Sequence, residues 1–578
     1  MTTGAAAAAT EQHKHTANDP KCQGLVVLIN AYREDINLFV DGATLLSTEG
    51  TTQGDPLAMA MYGIGILPLI KKLQTCDVTQ TWYADDAAAA GSTANMRCWW
   101  DMITKAGPMF GYYPNASKTH LIVKQEYVQS AKGLFDGSGI TVIADGDRYL
   151  GAAIGTRTYI EQYVKNKISE FIGEVLLRAI SDVAAVDLHV AISLLRMCGG
   201  YCKLVHLART TPTILCEDSL KFFDEEVRLC FSSCVAIDVP DPQWQQAQLS
   251  PKLGGLGLRS LSLHSCAAFI SSLASLEMGN PDNIHLQQAI LRFNARVSPQ
   301  DSITMESVLN SPPQQKSLSQ MLDSFAFHSL LSSASPVNKA RMLSVSSPHA
   351  SSWITAIPST RWKMHLESAE FQMAIRWWLG LKTSDASPCP FCPDLVLDPL
   401  GHHATSCRHG GDVVIRHNHL RDIVADFCRQ AHLSVRVEAG YGLSSDHSNT
   451  RPADVLVQGW DRGSPAALDI TVTSPLTPAT LRDASSTAGA AAYAAECRKH
   501  TANDAKCQEL GWACIPLAVE TFGNWGMEAQ GVFSRLASAL GMHQGTSKSW
   551  ALHTIYSRLN MSLVRSVARS ILGRSYVV

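Results

Sequence analysis

Two adjacent carboxylates, Asp85 and Asp86, restrict what this 578-residue chain can fold into more than any other feature. They sit between Trp82-Tyr83 and the small-residue run Ala87-Ala88-Ala89-Ala90, which puts both acids on a tight turn. Two acids so placed can share divalent ions that activate a 3′-hydroxyl and stabilise departing pyrophosphate. Alone, an Asp-Asp pair is an ordinary solvated turn or helix N-cap, and it gains meaning only from its neighbours. Upstream, Asp55 can cap a helix whose first position is Pro56, where a missing backbone donor does no harm. Leu57, Met61, Ile64, Leu67 and Ile70 then recur at helical spacing and are expected to lie against a sheet. Asp35 and Asp41 flank a short strand-like stretch, residues 36–40.

The segment Glu49 to Ala58, with Gln53-Gly54-Asp55-Pro56 at its centre, resembles the QGDP block of reverse transcriptases, and Tyr83 to Asp86 resembles their YxDD hairpin. Gly111 to Thr119 resembles their Gly/Pro/Asn/Lys segment, and Tyr149-Leu150-Gly151 the turn that leads to the thumb. The blocks stand in the family's order, and alanine within YADD is usual in non-LTR retrotransposon and group II intron enzymes. The resemblance spans about residues 24 to 260 and implies a partial right-hand palm followed by a helical thumb. It implies that Asp85 and Asp86 hold Mg²⁺ or Mn²⁺, that Gln53, Gly54 and Tyr83 meet template and incoming nucleotide, and that Lys118 protonates pyrophosphate. A lone lysine in a Pro-Asn turn is otherwise just solvated. The family takes a third metal-binding aspartate from an earlier strand, and no such segment occurs here. Two carboxylates hold a catalytic metal pair poorly, so little or no polymerase activity is expected from this chain alone.

An internal repeat accounts for the unusual start. Thr2 to Glu11 and Lys14-His15-Thr16-Ala17-Asn18-Asp19 to Gln23 recur as Thr487 to Glu496 and Lys499-His500-Thr501-Ala502-Asn503-Asp504 to Gln508. One distant pair is no solenoid. Residues 1–23 are therefore read as a displaced copy of a C-terminal segment and are expected to form a frayed helix, through element rearrangement or a gene-model error.

Cys389-Pro390-Phe391-Cys392, then His402-His403 and Cys407, is the second strong signal. Two thiolates from one knuckle, an imidazole and a third thiolate suit tetrahedral Zn²⁺. The set reads as Cys389, Cys392, His402 and Cys407, with His403 an alternative that spacing cannot separate. The motif resembles the CCHC element preceding the endonuclease of site-specific non-LTR retrotransposons. Downstream, a helix runs through Leu420, Ile423, Val424 and Phe427, and strands are expected at 434–438, 453–457 and 467–472. An Ala-rich helix at 487–500 and a strand at 515–520 follow. Helix, three strands, helix, strand resembles the core of restriction-like PD-(D/E)XK nucleases. That likeness implies that Asp454 and Asp469 hold Mg²⁺ at a scissile phosphate. Thr471 stands where the family has lysine; Lys499 either supplies that charge from the next helix or is a plain helix-face cation. Glu438 and Glu520 are further candidate ligands or simple strand-end acids.

Composition sets the remaining bounds. A chain this long has room for about four domains, and 46% hydrophobic with 17% charged residues suffices for buried cores. No signal peptide or apolar run of about twenty residues stands out, so no membrane partner is expected. The 16 scattered cysteines read as reduced thiols plus the zinc motif. A net charge of −3 is awkward for phosphate neutralisation. However, the stretch 529–578 carries no acid and holds Arg535, Lys548, Arg558, Arg565, Arg569 and Arg574, which form either a backbone-binding surface or a solvated last helix.

The expected fold is α+β and multidomain. Its parts are the displaced copy at 1–23, partial fingers and palm at 24–150, helical thumb at 151–296, and a Ser/Pro-rich linker with short helices at 297–388. A zinc knuckle at 389–411, an α/β restriction-endonuclease-like domain at 412–528 and a basic helical end at 529–578 complete it. The whole resembles the C-terminal part of a non-LTR transposable-element polyprotein. By that resemblance its partners are an RNA template, target and primer DNA and dNTPs, and its place is the nucleus. Its work would be nucleotidyl transfer joined to DNA nicking. A non-catalytic nucleic-acid-binding remnant and an endonuclease alone remain as alternatives, and the oligomeric state stays open.

Overall fold

The computed structural model describes residues 36–47, 58–276, 281–392, 395–439, 453–461 and 463–575. Residues 1–23, Asp35, Gln53, Gly54, the Asp55 cap and Pro452 lie outside the described residues. The fold is mixed α+β, helix-rich with small sheets. It divides into two compact units, one of Met1–Tyr149 with Ile154–Tyr159, the other of Leu150–Ala153 with Ile160–Val578.

In the first unit, strands Ile36–Val40 and Ala43–Ser47 form an antiparallel hairpin turned at Asp41 (φ 50°) and Gly42 (φ 80°). Helix Ala58–Leu73 buries Ile66, Leu69 and Leu73 against Trp99, Trp100, Ile103 and Ala106 of helix Thr93–Ala106. Their i, i+3, i+7 spacing is one helical face. It is not the face expected from Leu57, Met61, Ile64, Leu67 and Ile70: Ile64 is 57% exposed and Leu67 44%. Both series have helical period, and only the position of the partner helix selects between them. Strands Thr79–Tyr83 and Asp86–Ala90 pair antiparallel. Gln80 anchors this hairpin by donating to the Ile70 carbonyl (2.9 Å) and accepting from the indoles of Trp82 (3.1 Å) and Trp99 (3.2 Å).

The second unit opens with helices whose buried Ile168, Ile172 and Leu176 recur at a spacing of four, on one helical face. Helical stretch Leu188–Thr210 is long and apolar enough to cross a membrane by length and composition alone. In this fold it is interrupted at Gly199-Gly200 and buries Ala191, Leu195, Leu204 and Leu207 in the core. The Leu253 to Leu258 glycine turn is packed in place. The Gly254 carbonyl accepts from Gln246 (2.9 Å) and from the Trp378 indole (2.8 Å), and Leu256 and Leu258 are buried.

Residues 297–388 are not a linker. Helices Gln315–Ser333, Pro336–Val345, Ser352–Thr355 and Ser368–Leu379 bury Leu322, Met342, Trp353, Phe371 and Trp378, and the serines that suggest a loose segment are small enough to pack. Ser344 donates to Glu520 (2.5 Å), and Asn560 donates to Ser352 (3.1 Å). The basic end is likewise no free surface: its arginines are used inside the unit. Arg558 pairs with Asp426 (3.0 Å), Arg569 with Glu370 (2.6 Å) and Arg574 with Asp412, while Arg565 donates to the His365 carbonyl (2.6 Å). Helix Lys548–Ser575 thus fastens helices Ser368–Leu379 and Asp412–Gln430 into one core.

That sheet has four strands in sequential order: Val435–Ala439, Ala453–Asp461, Ser464–Thr473 and Ala513–Glu520. The first three pair antiparallel; the last runs parallel to the third, as a crossover through helix Ala490–Glu509 requires. Helix Asp412–Gln430 packs against it through Leu420 and Val424.

Candidate metal centre and paired-acid sites

Cys389, Cys392, His403 and Cys407 each offer one ligand atom, and these atoms lie within 4.8 Å of one another. Cys389 follows the short strand Ser387–Pro388, which pairs with Val396–Leu397 and folds the CxxC into a knuckle. The other two ligands sit on helix His402–Ser406 and its C-cap, where Cys407 donates its amide to the His403 carbonyl (2.8 Å). Residues four apart share a helical face, so His403 stands beside Cys407 whereas His402 is rotated away. The fourth candidate ligand is therefore His403 rather than His402. The His402 ring sits 3.7 Å from Asp398 and edge-on to Trp377 (5.8 Å). The i, i+4 spacing was the available signal.

The cluster fits a metal. His403 Nε2 is buried with no hydrogen-bond partner, and the sulfurs of Cys392 and Cys407 stand 3.4 Å apart. Burial and the neighbouring thiols push Cys392 up to about 12. At Cys407 burial acts upward too, but hydrogen bonds from Cys392, the His409 amide and Arg574 outweigh it and hold the thiol below its ordinary value. A divalent ion would relieve this competition by binding all three thiolates. Three thiolates and Zn²⁺ leave one net negative charge. Arg574, 1% exposed in its side chain, donates to the His409 carbonyl (3.0 Å) and lies over Phe391 (5.2 Å) beside it.

The second cluster of polar groups lies on the four-stranded sheet. Asp454 and Asp469 continue the register that pairs Val455 with Leu468, which puts the two carboxylates side by side on adjacent strands. Lys499 Nζ is 2.8 Å from Asp469 Oδ1, and Asn503, one helical turn on, donates to Oδ2 (2.6 Å). Lys499 is thus no idle helix-face cation. His417 Nε2 is 3.0 Å from Asp454 Oδ2, which also accepts from the Ile470 amide (2.7 Å). Burial, with help from Asp454, raises Asp469 to about 6 against the pull of Lys499. Asp454 is buried as well, yet its bonds to His417 and Ile470 hold it below the usual carboxylate range. His417 is raised, chiefly by its bond to Asp454. Sequence reasoning passed over His417 and Asn503. Each was legible by helical phase, His417 sharing a face with Leu420 and Val424, and Asn503 with Lys499.

Glu520 is not a ligand. It is 1% exposed and accepts from Ser344, Asn524 (3.2 Å) and the Ala492 amide (3.3 Å), tying the strand end to the start of helix Ala490–Glu509. Glu438 pairs with Arg421 at the sheet edge. Thr471 lies on the third strand opposite Ala518.

In the first unit, Ala84 (φ 51°) and Asp85 form the turn and Tyr83 pairs with Asp86. Tyr83, Asp85 and Asp86 are exposed, and the Tyr112 hydroxyl donates to the Asp85 carbonyl (3.1 Å). Burial first, then the acids and tyrosines around it, lift Tyr112 to about 12. Lys118 ends a short 3-10 turn capped by Asn115 and is exposed. Among the described residues, neither Asp85 and Asp86 nor Asp454 and Asp469 belongs to a group of three or more close potential ligands.

No protein-family model matches the chain, and no curated protein matches it.

Proposed function

We propose that this chain is a retrotransposon-derived DNA-nicking endonuclease of the restriction-like PD-(D/E)XK type, joined to part of an RNA-directed DNA polymerase. The observation that carries this reading is the juxtaposition of Asp454, Asp469 and Lys499 on a helix, three strands, helix, strand core with a parallel last strand. Mg²⁺ keeps several waters and is commonly held by one or two carboxylates plus substrate phosphate, so Asp454 and Asp469 suffice as its protein ligands. Lys499 then faces the charge that develops on the attacked phosphate, and Asn503 orients Asp469. The CCHC-type centre bound to Zn²⁺ would give structure to residues 389–411 beside this domain.

The polymerase part carries Asp85 and Asp86 for Mg²⁺ or Mn²⁺, with Gln53, Gly54, Tyr83 and Lys118 in supporting roles. It is the inactive partner here, because nucleotidyl transfer by this family needs a pair of ions, not one, and among the described residues Asp85 and Asp86 have no third carboxylate beside them to hold that pair. The ancestral machine would nick target DNA in the nucleus and extend the freed 3′-hydroxyl with dNTPs on its RNA template. The test is nicking of supercoiled plasmid by the full chain in Mg²⁺ or Mn²⁺. Wild type should nick and Asp454→Ala should not; equal rates would remove Asp454 from the site, and no nicking by either would favour a non-catalytic nucleic-acid-binding remnant. Primer extension on an RNA template, compared between wild type and Asp85→Asn, should show no Asp85-dependent synthesis.

A further inference from the structure

Helix Ala490–Glu509 has a second polar face that the nuclease reading leaves unused. His500 and Asp504, one turn apart, and Cys514, the second residue of strand Ala513–Glu520, each offer one ligand atom, and the three atoms lie within 4.8 Å of one another. The nitrogen, oxygen and sulfur donors come from two elements locked together by a tight turn. The Trp512 amide donates to the Cys507 carbonyl (2.8 Å), and Gly511 takes φ 68°.

The imidazole is oriented from outside the cluster. His500 Nε2 is 2.6 Å from Glu528 Oε1 on helix Met527–Gln544, and Nδ1 is 2.8 Å from Asp504 Oδ1. A carboxylate on one ring nitrogen fixes the tautomer and leaves the other as donor, the arrangement that accompanies most metal-bound histidines. Asp504 is exposed, and His500 and Cys514 are half-buried, so an ion can reach them from solvent. The Cys514 thiol donates to the buried Cys507.

We propose that His500, Asp504 and Cys514 bind one Zn²⁺ ion, distinct from the one at Cys389, Cys392, His403 and Cys407. A mixed imidazole, carboxylate and thiolate set suits zinc over the hard ions, and three protein ligands leave a fourth position for water. The ion displaces two protons to solvent, the one shared between His500 and Asp504 and the thiol proton of Cys514, and clamps the helix to the strand. Lys499 and Asn503 each precede a ligand by one residue, so the same clamp fixes the two turns that meet Asp469. The site itself does not depend on the nuclease reading.

The test is zinc content of the full chain after exhaustive dialysis against trace-metal-free buffer. Wild type should retain two ions, Asp504→Asn and Cys514→Ser one each, Cys392→Ser one, and Cys392→Ser with Asp504→Asn none. Asp504 is surface-exposed, so its variant folds. Glu528→Gln, which keeps the ligands but weakens the support of the ring, should bind Zn²⁺ about 10–100-fold more weakly in chelator competition. Wild-type zinc content in both Asp504→Asn and Cys514→Ser overturns the proposal, leaving His500 as an imidazolium held between Asp504 and Glu528. Loss of zinc in Asp504→Asn together with full retention in Cys392→Ser would retain this site and refute the first one.

Discussion

Lys499 and Asp469 allow the most direct test of the sheet-centred site, because their interaction can be measured without any substrate. The Asp469 side chain is 7% exposed and that of Lys499 32%, with 2.8 Å between the charged atoms. At an effective dielectric of about 20, the Coulomb attraction at that distance is on the order of 6 kcal/mol. Desolvation of the carboxylate and partial screening of the ammonium take back most of it, leaving a net coupling of about 1–3 kcal/mol. The perturbations are Lys499→Met, Asp469→Asn and the double variant. In a protein of several packed regions global unfolding is not two-state, so the assay is native-state hydrogen exchange of the strand Ser464–Thr473 amides. Each single change should lower local protection, and the double should lower it by less than the sum. Additivity to within about 0.3 kcal/mol would mean that the two groups do not interact, and the argument from Lys499 to catalysis would fail with it. In the nicking assay Lys499→Met should lose about 10²-fold or more, as removal of one preorganised donor does.

Other expectations follow from the same geometry. His403→Ala should remove one zinc ion from the full chain and His402→Ala none, as counted by atomic emission; the reverse result would return the ligand to His402. Asp469 is an acid whose folded value, about 6, stands above its ordinary 3.8. The folded protein therefore holds that proton more tightly than the unfolded chain, and the stability of wild type relative to Asp469→Asn should fall by about 2 kcal/mol as pH rises from 4 to 6.5 and then level off. Protection of the strand Ser464–Thr473 amides across that range checks this, and a flat difference would refute it. Gly255→Ala would place a Cβ 2.0 Å from the Leu249 carbonyl and 2.6 Å from that of Gln246, so it should cost about 3 kcal/mol or more and lower the Tm measurably; an unchanged melt would mean that the turn yields.

Local pattern made much of the sheet region legible. Strands appear near 435, 453, 467 and 515 because each is a short β-branched or aliphatic run bounded by turn residues, and nothing distant is needed to define them. Helix Ala490–Glu509 runs well past the expected end at 500, since its polar second half pairs with Asp469 and Glu528 where no sequence window reaches. The same blindness to distance explains the larger misreadings. The buried serines of 344 to 352 suggest a linker until Glu520 and Asn560 arrive from far along the chain. The C-terminal arginines suggest a nucleic-acid surface until Asp412, Asp426 and Glu370 supply their counter-charges.

Phe522 stacks on Trp377 at 4.7 Å, and both rings are almost wholly buried. The four-stranded sheet region and the helices before it therefore share one interior. Cutting the chain to isolate residues 412–528 would bare an aromatic wall to water on each side of the cut. Such a fragment should clump or melt however sound its active groups are, so reshuffling of parts by recombination cannot treat this stretch as an interchangeable cassette.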